Sequence, residues 1–496
     1  MRLSRLIEAL PQSTVEGDVE VEVTGVQTDS RKIEPGNLFV AVSGTLEDGH
    51  RYIAQALERG ANAFVGETPA AVTVKVPFIR VPNGRIAAAF LAEAFHGFPS
   101  RRLNVVGITG TNGKSSTLYL TRSILDAAGL PSSGIGTISY TIAGDTEPSH
   151  NTTPGPVELS SALRRAVDAG HKYFVMEVSS HALHQRRVEA VQFKVAVYTN
   201  LSHDHLDYHQ SLDEYFAAKR RLFELISDGA GDRYAVISAD DARSAEIAAA
   251  TTANKITFGI AKQADICARN IDISSSHSSF DVVTPGGNFT ASLKLLGRYS
   301  VYNALAATGV GIALGIDVET IKKGLESLDL VPGRFERVCE GQPFEVIVDY
   351  AHTPEAVKLL LESARSICRG KLILVFGAGG NRDRAKRPEM GKLAASLSDF
   401  TIVTSDNPRT EDPYTIALDI EIGFQKMGKE RGQHYLVIID RREAIEEALT
   451  TAEPGDIVVI AGKGHETYQI FKDKTIDFDD RAVARAWLQS MPKPEK

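Results

Sequence analysis

Residues 105–116, VVGITGTNGKSS, decide how this chain is read. An apolar segment, residues 103–108, runs straight into a glycine-rich turn and then into Lys114-Ser115. A helical pattern follows, with Leu118, Ile124, Leu125 and Ala128 on one side. Strand, glycine loop, Lys-Ser and helix are the parts of a phosphate cradle. Glycines let backbone N–H groups face phosphates, and the helix start adds positive potential. Lys114 reaches the terminal phosphates, and Ser115 offers a hydroxyl to a phosphate-bound Mg²⁺. The general pattern wants a glycine where Ile108 stands; Gly107 and Gly110 flank it instead. The alternative is an ordinary βα turn with a surface lysine. A Lys-Ser pair opening a helix after an apolar strand favours the cradle.

The chain has 496 residues, enough for about three domains at ~150 residues each. Its 43% hydrophobic and 24% charged content is that of a soluble globular protein. A net charge of −8 argues against a general nucleic-acid binder. Cys267, Cys339 and Cys368 are far apart in sequence, which suggests neither a disulfide framework nor a cysteine zinc site and fits a reducing, cytoplasmic setting. The start, MRLSRLIEALPQ, is too short and charged for a signal peptide and reads as a small amphipathic helix. No apolar run is long enough for a membrane span.

Residues 1–98 read as a small α/β domain, with strand-like pieces at 19–24, 37–41, 63–65 and 78–81 and a helix at 52–59. It suits a substrate-binding unit or a structural cap equally. Residues 99–330 carry the phosphate loop. Further buried-strand candidates at 173–178, 195–199, 235–238 and 255–258 predict a doubly wound, mostly parallel sheet. Ligands belong at the carboxyl ends of such strands. Residues 271–296 predict a hairpin at the sheet edge, and the Gly/Ala-rich helix after it holds Asn303, which can face a nucleotide or the interior. Residues 331–496 supply further apolar strands ending in charged loops, a Rossmann-like α/β domain in outline. Its GAGGNR is a weak dinucleotide fingerprint, since Arg382 takes the third glycine position. Residues 492–496 read as frayed.

Several strand ends are chemically loaded. SHNTTPGP, residues 149–156, suits a sugar or an anion. MEVSSHALHQRR places Glu177 where a carboxylate can hold Mg²⁺, with Ser179, Gln185 and Arg187 close behind. HDHLDYH gathers His203, Asp204, His205, Asp207 and His209, a density that favours metal or phosphate chemistry. It is not the HxHxDH hydrolase pattern, because Tyr208 stands at the final position. Lys219, on the amphipathic helix that follows, is by pattern a plain helix lysine.

GITGTNGKSS, NTTPG, MEVSSHALHQRR, HDHLDYH with FAAKRRLF, GRYSVYNALAA, PGRFE, DYAHTP, SDNPR and GKGHE stand in this order. Together they closely resemble the Mur ligases, over residues 28–466. The resemblance implies three α/β domains around a central P-loop-type doubly wound sheet. It implies an ATP-dependent, ADP-forming amide ligase of peptidoglycan precursor synthesis. Meso-2,6-diaminopimelate would be added to the D-Glu γ-carboxylate of UDP-MurNAc-L-Ala-D-Glu through an acyl phosphate. It places the uridine nucleotide on residues 1–98, at Thr28, Ser30, Thr45, Leu46 and Glu47. The peptide arm would meet Asn151, Thr152, Thr153, Ser179, Gln185 and Arg187. ATP would lie on Thr109, Gly110, Thr111, Asn112, Gly113, Lys114 and Ser115, with Asn303, Arg334 and Asp349 nearby. One Mg²⁺ would be held by Ser115 and Glu177, a second by His205 with Lys219. Lys219 would carry a carbamate, which reverses its plain reading. Diaminopimelate would meet Arg382, Asp406, Asn407, Pro408, Arg409, Gly462 and Glu466. Ser115 stands where threonine is common and keeps the hydroxyl; Asn381 stands where aspartate is frequent. A folylpolyglutamate synthetase, a lysine-adding homologue and a non-catalytic nucleotide-binding module are the rival readings. NTTPG and DNPR favour the muramoyl acceptor and diaminopimelate, and Lys114, Glu177, His205 and Lys219 argue for catalysis.

Overall fold

The computed structural model describes residues 1–44, 47–68, 76–227 and 231–491. Among them the strands form three main sheets and a two-stranded ribbon, Tyr468–Ile470 with Thr475–Asp477. The architecture is three α/β domains in series.

The central sheet has eleven strands. Its parallel block runs Ile266–Ile273, Asn254–Gly259, Tyr234–Ser238, Phe193–Tyr198, Asn104–Thr109, Tyr173–Glu177 and Ser132–Ile135. Antiparallel strands extend both ends: Ser278–Thr284 with Gly287–Leu293 at one, Ser139–Ile142 with Asp145–Pro148 at the other. The hairpin expected at the edge is there. Asn104–Thr109 is central, and its alternating side chains feed two cores. Val106 and Ile108 face the helices Lys114–Ala127 and Arg298–Ala313; Val105 joins Phe174, Met176 and Phe193 on the other face. Gly107 is required there, because a Cβ would stand 2.7 Å from the Phe193 ring. Both faces being covered explains the continuous apolar strands.

The N-terminal sheet is ordered Thr14–Glu16, Phe78–Arg80, Ala63–Gly66, Leu38–Val40, Val26–Gln27, parallel except for the first strand. One sequence expectation fails here: residues 19–24 are not a strand. Leu3 and Ser4 donate backbone bonds to the Val21 and Val19 carbonyls, and Val23 packs with Leu3 and Leu6. The apolar alternation serves the first helix, Leu3–Ile7, rather than a sheet. The C-terminal sheet is ordered Glu336–Arg337, Glu345–Asp349, Ile457–Ala461, Leu372–Phe376, Phe400–Val403, Tyr435–Val437, again parallel except for the first strand.

Candidate functional site

The glycine loop closes tightly on its neighbours. Gly113 has φ +87°, and a Cβ on it would stand 2.3 Å from Asn303 Oδ1. Gly110 has φ +150°, and its Cβ would meet Thr199 Oγ1. Bulkier residues at either position would push the loop open. The helix Lys114–Ala127 starts from Gly113 with no side-chain cap, so its first N–H groups face outward as an anion site. Lys114 Nζ curls back to donate to the carbonyls of Gly110, 3.0 Å, and Thr111, 2.9 Å. Burial pushes its ammonium below the ordinary lysine range.

This loop is the floor of a cavity of about 720 Å³ between the central and C-terminal sheets. Of the residues singled out from sequence, Thr111, Asn112, Gly113, Lys114, Ser115, Thr152, Glu177, Ser179, His205, Lys219, Asn303, Arg334 and Asp349 line it. Glu177 ends its strand fully buried, and Ser115 Oγ donates to its Oε1 at 2.8 Å. Arg334 crosses from the C-terminal side to donate to Ser115 Oγ at 3.2 Å and lies over the Tyr350 ring. Asp349 is held by the backbone N–H groups of Phe335 and Ala351, both at 2.7 Å. Burial nevertheless raises its pKa.

Lys219 is 1% exposed and makes no hydrogen bond or ion pair among the described residues; its Nζ sits 4.2 Å from the Tyr215 ring centre. Burial, and then the Lys114 charge, drive its pKa far below the ordinary value. The Asp204 charge opposes this only in part, so the balance moves towards the uncharged, nucleophilic amine.

The acid- and histidine-rich loop divides its side chains. His209 is buried and bonds to Ser180 Oγ at 3.0 Å, so it is structural. His203 meets Asp383 at 2.8 Å, and Asp207 meets Arg382 at 3.8 Å, both across domains. Asp204 stays near His205, 3.3 Å, and His352, 3.9 Å. Burial opposes ionisation of Asp204, yet His205, His352 and Lys386 together hold its carboxyl well below the usual range. His205 takes φ +55°, and burial pushes its imidazole down to about 3. Among the described residues no three His, Cys, Asp or Glu side chains are grouped to hold a metal ion on their own.

A second group lies beside the cavity. Thr153 Oγ1 donates to the Glu177 carbonyl at 2.9 Å and accepts from the Ser179 N–H at 3.0 Å. Arg187 donates to the Thr153 carbonyl, 2.8 Å, and to Gln185 Oε1, 2.7 Å. The Asn151 carbonyl accepts from Ser149 Oγ and from the Tyr140 hydroxyl. Thr109 ends the central strand beneath the loop.

In the C-terminal domain the loops at 379–384 and 406–411 are zipped together. Arg409, with φ +55°, donates to the Gly380 carbonyl at 2.8 Å, and Gly380 N–H donates to the Asn407 carbonyl at 2.9 Å. A Cβ on Gly380 would collide with the Pro408 carbonyl. Fully buried Arg387 underlies both loops, bonded to Gly379, Glu411 and Asp419. Burial, and then the charge of Arg382, lower the Arg409 pKa. Arg382 and Arg409 thus bring like charges close together on these two loops. Asn407 donates to Glu466 at 2.8 Å, and buried Lys463 donates to the same carboxylate at 2.9 Å. Asp406 accepts from the Asn407 N–H, and Gly462 leaves room for it, a Cβ there being 2.6 Å from Asp406 Oδ2.

Ser30 donates to Gln55 at 2.7 Å, Glu47 accepts from Tyr52 at 2.8 Å, and Thr28 is half-buried. None of these three lines the cavity. Thr45 and Leu46 lie outside the described residues, as do residues 492–496. Sequence reasoning missed Thr137, Arg387, and the wall formed by Asp240 and Tyr302, whose hydroxyl donates to Asp240 at 2.8 Å. GIGT, residues 134–137, was the available signal for Thr137: a small-residue strand ending in a turn.

Three family descriptions match the chain in series: "Mur ligase family, catalytic domain" over 22–96, "Mur ligase middle domain" over 108–311 and "Mur ligase, glutamate ligase domain" over 333–464. Curated relatives span the full length. A UDP-N-acetylmuramoyl-L-alanyl-D-glutamate--2,6-diaminopimelate ligase of Solibacter usitatus is 45% identical, covering 99% of this chain and 98% of the relative. One of Syntrophomonas wolfei is 43% identical, covering 99% and 100%. A solved structure of a ligase with that same name is 31% identical, with TM-score 0.68 and 98% and 99% coverage.

Proposed function

This chain belongs to the Mur ligase family, and from that premise we propose that it joins meso-2,6-diaminopimelate to the D-Glu γ-carboxylate of UDP-MurNAc-L-Ala-D-Glu, with ATP converted to ADP. The observation that carries the reading is the single cavity in which the phosphate loop, Glu177, the unpaired Lys219 and Arg334 converge. A carboxylate is a poor acyl donor, so the γ-carboxylate first attacks the terminal phosphate of ATP. The P–O bond to ADP breaks and an acyl phosphate forms. The diaminopimelate amine then attacks the acyl carbon, and the tetrahedral intermediate expels phosphate to leave the amide. Lys114, the free N–H groups of the loop and Arg334 stabilise the phosphate charge as it moves.

Mg²⁺ fits this donor set: Ser115 and Glu177 offer hard oxygens beside the loop, and phosphate oxygens complete such a shell. When bound it neutralises phosphate charge and orients the transfer. A second position would use His205 and Lys219 as a carbamate. The neutral Lys219 amine would form an N–C bond to CO₂ and lose one proton, turning the position anionic.

Residues 1–98 are proposed to bind the uridine nucleotide through Thr28, Ser30 and the 45–47 loop. Residues 99–330 would bind ATP, and residues 331–496 the amino acid. Asn151, Thr152, Thr153, Ser179, Gln185 and Arg187 would hold the peptide arm. Arg382, Asp406, Asn407, Pro408, Arg409, Gly462 and Glu466 would seat diaminopimelate. Its distal carboxylate, absent from lysine, would pair with Arg409. A charge-assisted bond of ~1.5–3 kcal/mol corresponds to ~10- to 150-fold in affinity. No helix among the described residues is long and apolar enough to cross a membrane; a cytoplasmic enzyme drawing on nucleotide substrates is the setting proposed.

The test is ADP release by the purified protein with UDP-MurNAc-L-Ala-D-Glu, Mg²⁺ and ATP, comparing meso-diaminopimelate with L-lysine. Release that depends on diaminopimelate, with a tripeptide product, is expected. Release that depends on lysine would keep the family and overturn the role of Arg409.

A further inference from the structure

Thr137 has no part in the reading above, yet it bonds to both oxygens of the Glu177 carboxylate. It follows the strand Ser132–Ile135 at its carboxyl end, half-buried on the cavity wall. Its backbone N–H donates to Glu177 Oε1 at 2.8 Å, and its hydroxyl donates to Oε2 at 2.9 Å. Ser115 Oγ also donates to Oε1. A carboxylate has about four lone-pair positions. With these donors in place, the position left open is on Oε2. Because Thr137 bonds to each oxygen, it fixes the rotation of the carboxylate and hence the direction of that lone pair. Gly136 lets the turn come this close, since a Cβ there would stand 2.4 Å from Oε1.

Two further contacts connect Thr137 outward. Its hydroxyl lies 3.1 Å from that of Thr152. The Thr137 proton points to a carboxylate, which only accepts, so Thr152 is the donor of that pair. On the C-terminal side, His465 lies near the Thr137 backbone, which opposes the burial that lowers the imidazole pKa. We propose that Thr137 is a positioning residue for Glu177. It aims the carboxylate at a phosphate-bound divalent cation and links it to the peptide-arm loop through Thr152. This rests on the reading that Glu177 holds the cation.

Thr137→Val removes the hydroxyl and keeps the shape, the N–H donor and the backbone that His465 meets. The measurement is Mn²⁺ binding to the ADP-bound protein, followed by electron paramagnetic resonance, with melting temperature recorded alongside. Groups that orient a metal ligand typically contribute about 10- to 100-fold in metal affinity. Thr137→Val and Thr137→Ala should each weaken Mn²⁺ about tenfold while still melting cooperatively, and Thr137→Ser should restore it. If Thr137→Ser binds as weakly as Thr137→Val, the hydroxyl is not the cause and the assignment falls. Glu177→Gln tests the underlying reading. If it binds Mn²⁺ like the parent, Glu177 is not the metal-facing group and both ideas fall. If it weakens Mn²⁺ but Thr137→Val and Thr137→Ala do not, the positioning role alone is overturned.

Discussion

Lys219 shows what a single residue reveals only in three dimensions. On its helix it looks like any solvated lysine. In the fold it is 1% exposed and feels the Lys114 charge, with Asp204 opposing it only in part, and it makes no ion pair among the described residues. Burial at that depth penalises the charged amine, which shifts the balance towards the form that reacts with CO₂. Lys219→Ala should therefore lower ligase turnover by about 100-fold or more, the scale of a lost electrostatic group in an active site. It should do so without a large fall in melting temperature. A ¹³C carbamate resonance in bicarbonate-labelled protein should vanish with it. Normal turnover in the variant would remove Lys219 from the chemistry. The reverse lesson comes from His209. It stands amid potential ligands in sequence, but its ring turns inward to Ser180. Spacing could not distinguish the two, because burial and partner choice are set by elements far away in the chain.

At the scale of elements, strands buried on both faces were readable from their branched apolar runs. Ser132–Ile135 was not, since SSGI has little β-propensity and earns its place by parallel pairing with Tyr173–Glu177. Missing that strand meant missing Thr137. The irregular stretch at 19–24 erred the other way, its alternation being directed at a helix. Helix contacts carry a testable charge as well. Glu93 lies on Gly84–Phe95, 1% exposed, where that helix approaches the central domain. Its Oε2 accepts from Ser100 Oγ at 2.9 Å, while Oε1 has no partner. Burial raises its pKa to about 7, against the hydrogen bonds from Ser100. The folded state then holds a proton that the unfolded chain releases near 4.5. The stabilising contribution is full below that value, declines as pH rises towards about 7 and is gone above it. Glu93→Gln should flatten this dependence and raise stability at pH 8 by on the order of 3 kcal/mol at most. Denaturant melts at pH 5 and 8 check it; parallel pH profiles for both proteins would show that Glu93 does not carry the proton.

For the whole molecule, the question is how three domains bring three substrates to one point. The cavity is walled by both the central and the C-terminal sheets. Its closure is marked by side chains from opposite sides: Arg334 on Ser115, His203 on Asp383, Arg382 towards Asp207 and His352 towards Asp204. The three-domain order was legible because each sheet has its own run of strands. These cross-domain pairs were not, because the partners lie more than a hundred residues apart. Their strengths should also differ. Arg334 reaches a buried hydroxyl of the phosphate loop, whereas the His203 side chain is half exposed. An exposed pair contributes ~1 kcal/mol or less, so His203→Ala should lower kcat/KM for diaminopimelate by about fivefold at most. Calorimetric nucleotide affinity should not change, since His203 touches the C-terminal domain and not the phosphate loop. A loss beyond about 100-fold would mean that His203 acts on the reacting atoms, and that the contact with Asp383 is not its purpose. A loss of nucleotide affinity would instead mean that the phosphate site is completed only when the C-terminal domain is latched. In that case the order of substrate binding follows from domain closure and not from separate pockets.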